Sequence, residues 1–167
     1  IRVAVHAFMA GRDTPPTSGL EYMDDFCTFL KEVPGAFLAT LGGRYYGMDR
    51  DARWERVKRA YDVIVDACVE TTLSPQEYIK QSYAHNITDE FVEPVAFESY
   101  KGSVDGDAFV MANFRADRAR QLMSALFVPD FSAFERSSRP ALRDRFGMCS
   151  YSKELDSVLQ TLLPGEN

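Results

Sequence analysis

The chain has 167 residues, of which 46% are apolar and 26% charged, the size and make-up of one ordinary domain with a real core. Its net charge of -6 argues against a general nucleic-acid binder, and no apolar run reaches the length of a membrane span. Fourteen of its 19 basic residues are arginine, a bias that favours planar recognition of oxyanions and that codon usage produces equally well.

Residues 2–8 read R-V-A-V-H-A-F, apolar on both faces, which predicts a strand covered on both sides as in a parallel sheet. His6 lies inside it and reads as a hydrogen-bonded core histidine. Gly11, Arg12 and Asp13 follow on a loop that Pro15-Pro16 stiffens. Leu20, Met23, Cys27 and Leu30 recur at helical spacing over 17–33, and Pro34-Gly35 stops that helix. A second strand is predicted over 36–41, so the chain opens strand, helix, parallel strand.

The loop Gly43-Arg44-Tyr45-Tyr46-Gly47-Met48-Asp49-Arg50-Asp51 follows. Its arginines suit an oxyanion, and pairing with Asp49 and Asp51 as surface salt bridges is the plainer alternative. Trp54, Val57, Tyr61, Ile64 and Cys68 then mark a helix that Asp49 or Asp51 could cap. Ser74-Pro75-Gln76-Glu77 is a capping box and predicts a short helix to about His85. Residues 91–97 are extended, with Pro94 suiting an edge or an irregular strand. A turn at 102–106 precedes a strand over 107–112, and Asn113 is placed to cap a helix that carries Arg115 and Arg118 on one face. Two arginines at the positive end of a helix call for an anion, either a ligand or a carboxylate such as Asp117 or Asp105. Residues 128–145 are less regular, with Phe131, Phe134 and Leu142 placed to cover the sheet. A last strand is predicted over 146–151, a short helix around Leu155 to Leu162, and a linker over 164–167. The fold class is α/β, a three-layer, mostly parallel sheet flanked by helices.

Cys27, Cys68 and Cys149 are scattered and read as small buried hydrophobes, which fits a reducing, cytoplasmic compartment. With only His6 and His85 besides, a zinc site is not expected. No signal peptide is recognised, and a start in mid-strand at Ile1 reads as a piece of something longer.

Three strand-to-loop junctions thus carry arginine: Arg12 with Asp13, Arg44 with Arg50, and Arg115 with Arg118. Neighbouring parallel strands would gather them at one sheet edge, around a cleft for a small, strongly anionic, hydroxylated molecule. The segments Gly11-Arg12-Asp13-Thr14-Pro15-Pro16, Gly43-Arg44-Tyr45-Tyr46 with Met48-Asp49-Arg50-Asp51 and Arg53-Trp54, and Asn113-Phe114-Arg115-Ala116-Asp117-Arg118-Ala119 resemble, in order and spacing, the substrate-binding motifs of cofactor-independent phosphoglycerate mutase. The resemblance covers about residues 3–163. It implies that 1–163 form most of the inserted substrate-binding (phosphotransferase) domain. Residues 164–167 would lead toward the metal-binding, phosphatase-like domain.

It further implies 3-phosphoglycerate and 2-phosphoglycerate as ligands and a phosphoserine intermediate. Arg12 and Asp13 would hold the glycerate, Arg44 and Arg50 its carboxylate and hydroxyl oxygens, and Arg115 and Arg118 the phosphoryl group. Two manganese ions belong to the other domain of the family enzyme, as do the nucleophilic serine and a lysine, so no metal and no turnover are expected of this chain alone. A monomer is expected, with neither nucleic acid nor membrane as partner. The sequence departs from the family in lacking the G-G-V-H-S-H motif, in Ala10 where aspartate is common, and in Gly42-Gly43 where serine-glycine is common. A non-catalytic module that binds a phosphorylated metabolite is the alternative. Single-stranded RNA binding through Arg44, Tyr45 and Tyr46 is a third reading, and it needs exposed tyrosines.

Overall fold

The computed structural model describes residues 1–97 and 99–163. The 164–167 linker expected from sequence lies outside the described residues. Strand β1 (Val3–Met9) pairs in parallel with β2 (Ala36–Gly43), joined by helix α1 (Gly19–Lys31). A register shift between Val5 and His6 sets His6 opposite Thr40, and its Nδ1 lies 2.9 Å from the Thr40 hydroxyl. The ring packs edge-on to Tyr100 and parallel to Phe109, and burial pushes its pKa down to about 4.

The one-turn helix α2 (Arg44–Gly47) continues directly from β2, and α3 (Trp54–Asp66) follows. Strand β3 (Glu70–Thr71) leads to α4 (Pro75–Ala84), which opens with the predicted capping box: Ser74 accepts from the Glu77 amide, and Glu77 from the Ser74 amide. A 3-10 turn (Asp89–Phe91) precedes β4 (Val95–Phe97). The first sheet runs β1-β2-β4-β3, so β4 is interior, not an edge. Pro94 is tolerated because it stands just before the strand, where no ladder N–H is needed.

Strand β5 (Ala108–Met111), helix α5 (Ala116–Phe127), strand β6 (Asp144–Gly147), the short helix α6 (Lys153–Asp156) and strand β7 (Gln160–Thr161) build a second, all-parallel sheet, β5-β6-β7. The α/β class and parallel bias match expectation, but two sheets replace the single one, and the last strand is β7, not 146–151. Asn113 is not the cap of α5 either. Arg115 occupies that position without a side-chain hydrogen bond.

The larger core lies where α3 meets α5, through Val57, Tyr61, Ile64, Leu122, Met123 and Phe127, each at most 3% exposed. Burying a side chain of this kind stabilises by about 1.5–3 kcal/mol. Phe131, Phe134 and Leu142 from the irregular segment cover this core. Arg136 donates to the Ala125, Val128 and Pro129 carbonyls at 3.0, 2.9 and 2.8 Å, and so closes the end of α5. The cysteines do not behave as buried hydrophobes: Cys68 is exposed, Cys27 and Cys149 are half-buried, and all three are free thiols. Among the described residues no helix is long and apolar enough to cross a membrane.

Candidate functional site

Each arginine-bearing segment begins where a parallel strand ends: Arg12 after β1, Arg44 after β2, and Arg115 with Arg118 after β5. These ends converge although β5 belongs to the other sheet. The convergence depends on a wedge, residues 88–92. The Gly43 amide donates to the Val92 carbonyl at 2.7 Å, and the Asp89 amide to the Pro16 carbonyl at 2.9 Å. Buried Asp89 accepts from the Gly19 amide at 2.7 Å and from the Tyr83 hydroxyl. It thereby anchors the start of α1 and the end of the 11–16 loop. Gly11, at φ +68°, and Gly43 lie against the Asp89 and Glu90 backbone, where no Cβ fits.

The resulting cavity has a volume of about 170 Å³. Six arginines line it, Arg12, Arg44, Arg50, Arg53, Arg56 and Arg118, against three carboxylates, Asp49, Asp51 and Glu90, with Tyr45 completing the wall. An excess of guanidinium over carboxylate gives the lining a positive potential, which suits an anion. Of the sequence-predicted residues, Arg12, Arg44, Arg50 and Arg118 share this cavity. Asp13 and Arg115 sit beside it: Asp13 pairs with Arg44 of the lining, and Arg115 reaches it through Asp117, which pairs with Arg50.

The pairing crosses between loops. Arg44 is only 6% exposed and donates to Asp13 at 2.8 Å, and that contact holds the Asp13 carboxyl below its usual pKa. Arg50 donates to Asp117 Oδ2 at 2.7 Å, and Arg115 donates from Nε to Asp117 Oδ1 at 3.0 Å. Those bonds depress the Asp117 pKa, the Arg50 bond most. Asp117 is thus the anion that the start of α5 calls for. Arg118 Nη1 donates to the Met48 carbonyl at 3.2 Å, and its buried Nε has no partner. Desolvation, reinforced by Arg50 and Arg44, lowers the Arg118 pKa. Arg12 is exposed and makes no ion pair among the described residues.

Asp49 serves the loop first, and its Oδ1 also lies 3.9 Å from both Arg53 Nη1 and Arg56 Nη1. It is buried, and its Oδ2 accepts from the Asp51 amide at 3.1 Å and the Arg53 amide at 2.9 Å, closing the turn into α3. Arg56 stacks 3.7 Å from the Tyr45 ring centroid, and Phe91 meets the same ring edge-on. Tyr46 is buried. Tyr45 is half-buried with Arg56 over one face, so the pair of exposed stacking tyrosines that the RNA reading needs is not present. Arg56 and Glu90 were not singled out from sequence, and Arg53 was noted within a motif but given no role. Arg53 and Arg56 carry the same signal as Arg115 and Arg118, two arginines three apart at a helix start after a strand-derived loop.

Fold and site together define an α/β domain with an arginine-lined cavity at the ends of its parallel strands. The family model described as BPG-independent PGAM N-terminus matches residues 1–153. The 2,3-bisphosphoglycerate-independent phosphoglycerate mutase of Thermomicrobium roseum is 51% identical over 145 residues, covering 83% of this chain and 28% of the relative. That of Paracoccus denitrificans is 42% identical over 164 residues, covering 98% of this chain and 32% of the relative. A crystal structure of Leishmania mexicana phosphoglycerate mutase at low cobalt concentration superposes with a TM-score of 0.87 at 33% identity, covering 98% of this chain and 32% of that one. The chain belongs to the BPG-independent phosphoglycerate mutase N-terminal family. It spans about a third of the length of the relatives it matches.

Proposed function

We propose that this chain is the substrate-holding part of a phosphoglycerate mutase that interconverts 3-phosphoglycerate and 2-phosphoglycerate. The observation that supports this reading most is the gathering of Arg12, Arg44, Arg50 and Arg118, from three separate strand ends, around one cavity of about 170 Å³. Arg44 and Arg12 would face the carboxylate and hydroxyl end of the ligand. Arg115 and Arg118 would face the phosphoryl group, and Arg50, which the resemblance alone assigned to the glycerate oxygens, would join them because Asp117 holds it beside Arg115. Guanidinium keeps its proton, so these groups hold charge and position. Asp13, depressed by Arg44, is a poor base at neutral pH and serves to orient a hydroxyl.

In this reading a serine outside the chain accepts the phosphoryl group as its bond to the 3-oxygen breaks. The glycerate stays in the cavity and reorients, and its 2-oxygen then takes the phosphoryl group back from the serine. Among the described residues no three His, Cys, Asp or Glu side chains are grouped to hold a metal, and the cavity is arginine-lined. Manganese does not fit this arginine-lined cavity; in this reading the ions that the resemblance implies belong to the other domain.

An NMR titration of the chain with 3-phosphoglycerate, beside glycerate and inorganic phosphate, tests the reading. Saturable shifts over 12–13, 44–53 and 115–118 are expected for 3-phosphoglycerate, and their loss in Arg118→Ala. A folded chain that shows no shifts would overturn it. A coupled assay on the chain alone is expected to show no turnover.

A further inference from the structure

We infer that Asp117 is a positioning residue that clips the 44–51 loop to the start of α5 and so sets Arg50 and Arg115 in place before an anion arrives. The inference rests on the proposed function for the identity of the anion, but the clip itself is visible without it. One carboxylate uses both oxygens: Oδ2 takes Arg50 Nη1 at 2.7 Å, and Oδ1 takes Arg115 Nε at 3.0 Å. The Arg118 bond to the Met48 carbonyl at 3.2 Å ties the same two segments a second time. Each arginine spends one N–H on Asp117. A guanidinium has five, so both keep donors for a ligand, and Arg115 keeps both terminal nitrogens.

Asp117 therefore need not be displaced. It orders two long, half-exposed side chains, 44% and 54% exposed, that would otherwise be ordered at the moment of binding. It also offsets part of the repulsion among Arg50, Arg115 and Arg118, which the start of α5 would otherwise face alone. Exposed pairs of this kind contribute little to folding stability, so the clip acts on binding.

The test compares the wild-type chain with Asp117→Ala and Asp117→Asn by two readouts. Without ligand, 15N relaxation is expected to show the 44–51 loop gaining mobility in Asp117→Ala, with thermal unfolding unchanged. With ligand, 3-phosphoglycerate is expected to bind about tenfold more weakly in Asp117→Ala, the cost of ordering two arginines on binding. Asp117→Asn, which keeps one acceptor oxygen, falls between, and glycerate binding is unmoved. Unchanged loop mobility overturns the clip. Tighter 3-phosphoglycerate binding in Asp117→Ala also overturns it, because Asp117 would then be a competitor. A loop that loosens in a chain that never binds 3-phosphoglycerate upholds the clip and overturns the proposed function.

Discussion

Replacing Asp49 with alanine removes the most buried carboxylate on the wall of the cavity, with a side chain only 4% exposed. Two backbone amides, of Asp51 and Arg53, lose their acceptor at 3.1 and 2.9 Å. Each is a hydrogen bond to a charged group, and with partial rehydration of the exposed loop the pair is worth about 3 kcal/mol. For a domain of this size that lowers the melting temperature by about 6–12 °C. Asparagine keeps an acceptor oxygen and should lose about 1 kcal/mol. Circular dichroism melts and urea titrations of wild type, Asp49→Asn and Asp49→Ala provide the comparison. The variant should also dull the response of residues 50–53 to 3-phosphoglycerate, since those residues take their direction from the turn. An Asp49→Ala chain within about 0.5 kcal/mol of wild type, the scatter of surface substitutions, would refute the view that this carboxylate builds the loop.

Gly43→Ala is expected to destabilise by about 3 kcal/mol or more in a urea titration, because the new Cβ would lie 2.1 Å from the Glu90 carbonyl oxygen, a backbone atom held by the wedge. His6 stays neutral in the folded chain to about pH 4, whereas its unfolded pKa is 6.5. The unfolded state therefore binds the extra proton, and stability is expected to drop as the pH is lowered from 6.5 to about 4, by about 3 kcal/mol at most. Denaturation midpoints across that range should show the slope in wild type and lack it in His6→Gln.

Ser74 and Pro75, Leu20 to Leu30, and Trp54 to Ile64 were legible because capping and 3.6-residue periodicity are local properties, and those helices follow them. The two-residue strands Glu70–Thr71 and Gln160–Thr161 were not, because so short a strand carries no alternation to read and exists only where a neighbour offers a ladder. The three arginine loops were visible, and so was the option of Asp117 as the compensating anion. Their partners were not: Arg44 pairs with Asp13 and Arg50 with Asp117, across loops, where sequence adjacency pointed to Asp49 and Asp51. Asp89 and Glu90 escaped notice for the same reason. Their role comes from backbone wedged beside Gly11 and Gly43, which nothing in their own stretch records.

The bonds that close the cavity join residues far apart along the chain: Gly19 with Asp89 and Met48 with Arg118 at a separation of 70, Arg50 with Asp117 at 67. Contacts of such high order form slowly and only after most of the polypeptide has been ordered. During synthesis the α1 and α3 units can settle while the cavity is still open, and Arg115 and Arg118 join the other arginines only when the second sheet docks. Anion affinity is thus a late event in folding. A stopped-flow signal from a bound phosphorylated ligand would time the arrival of the last structural unit rather than the first collapse.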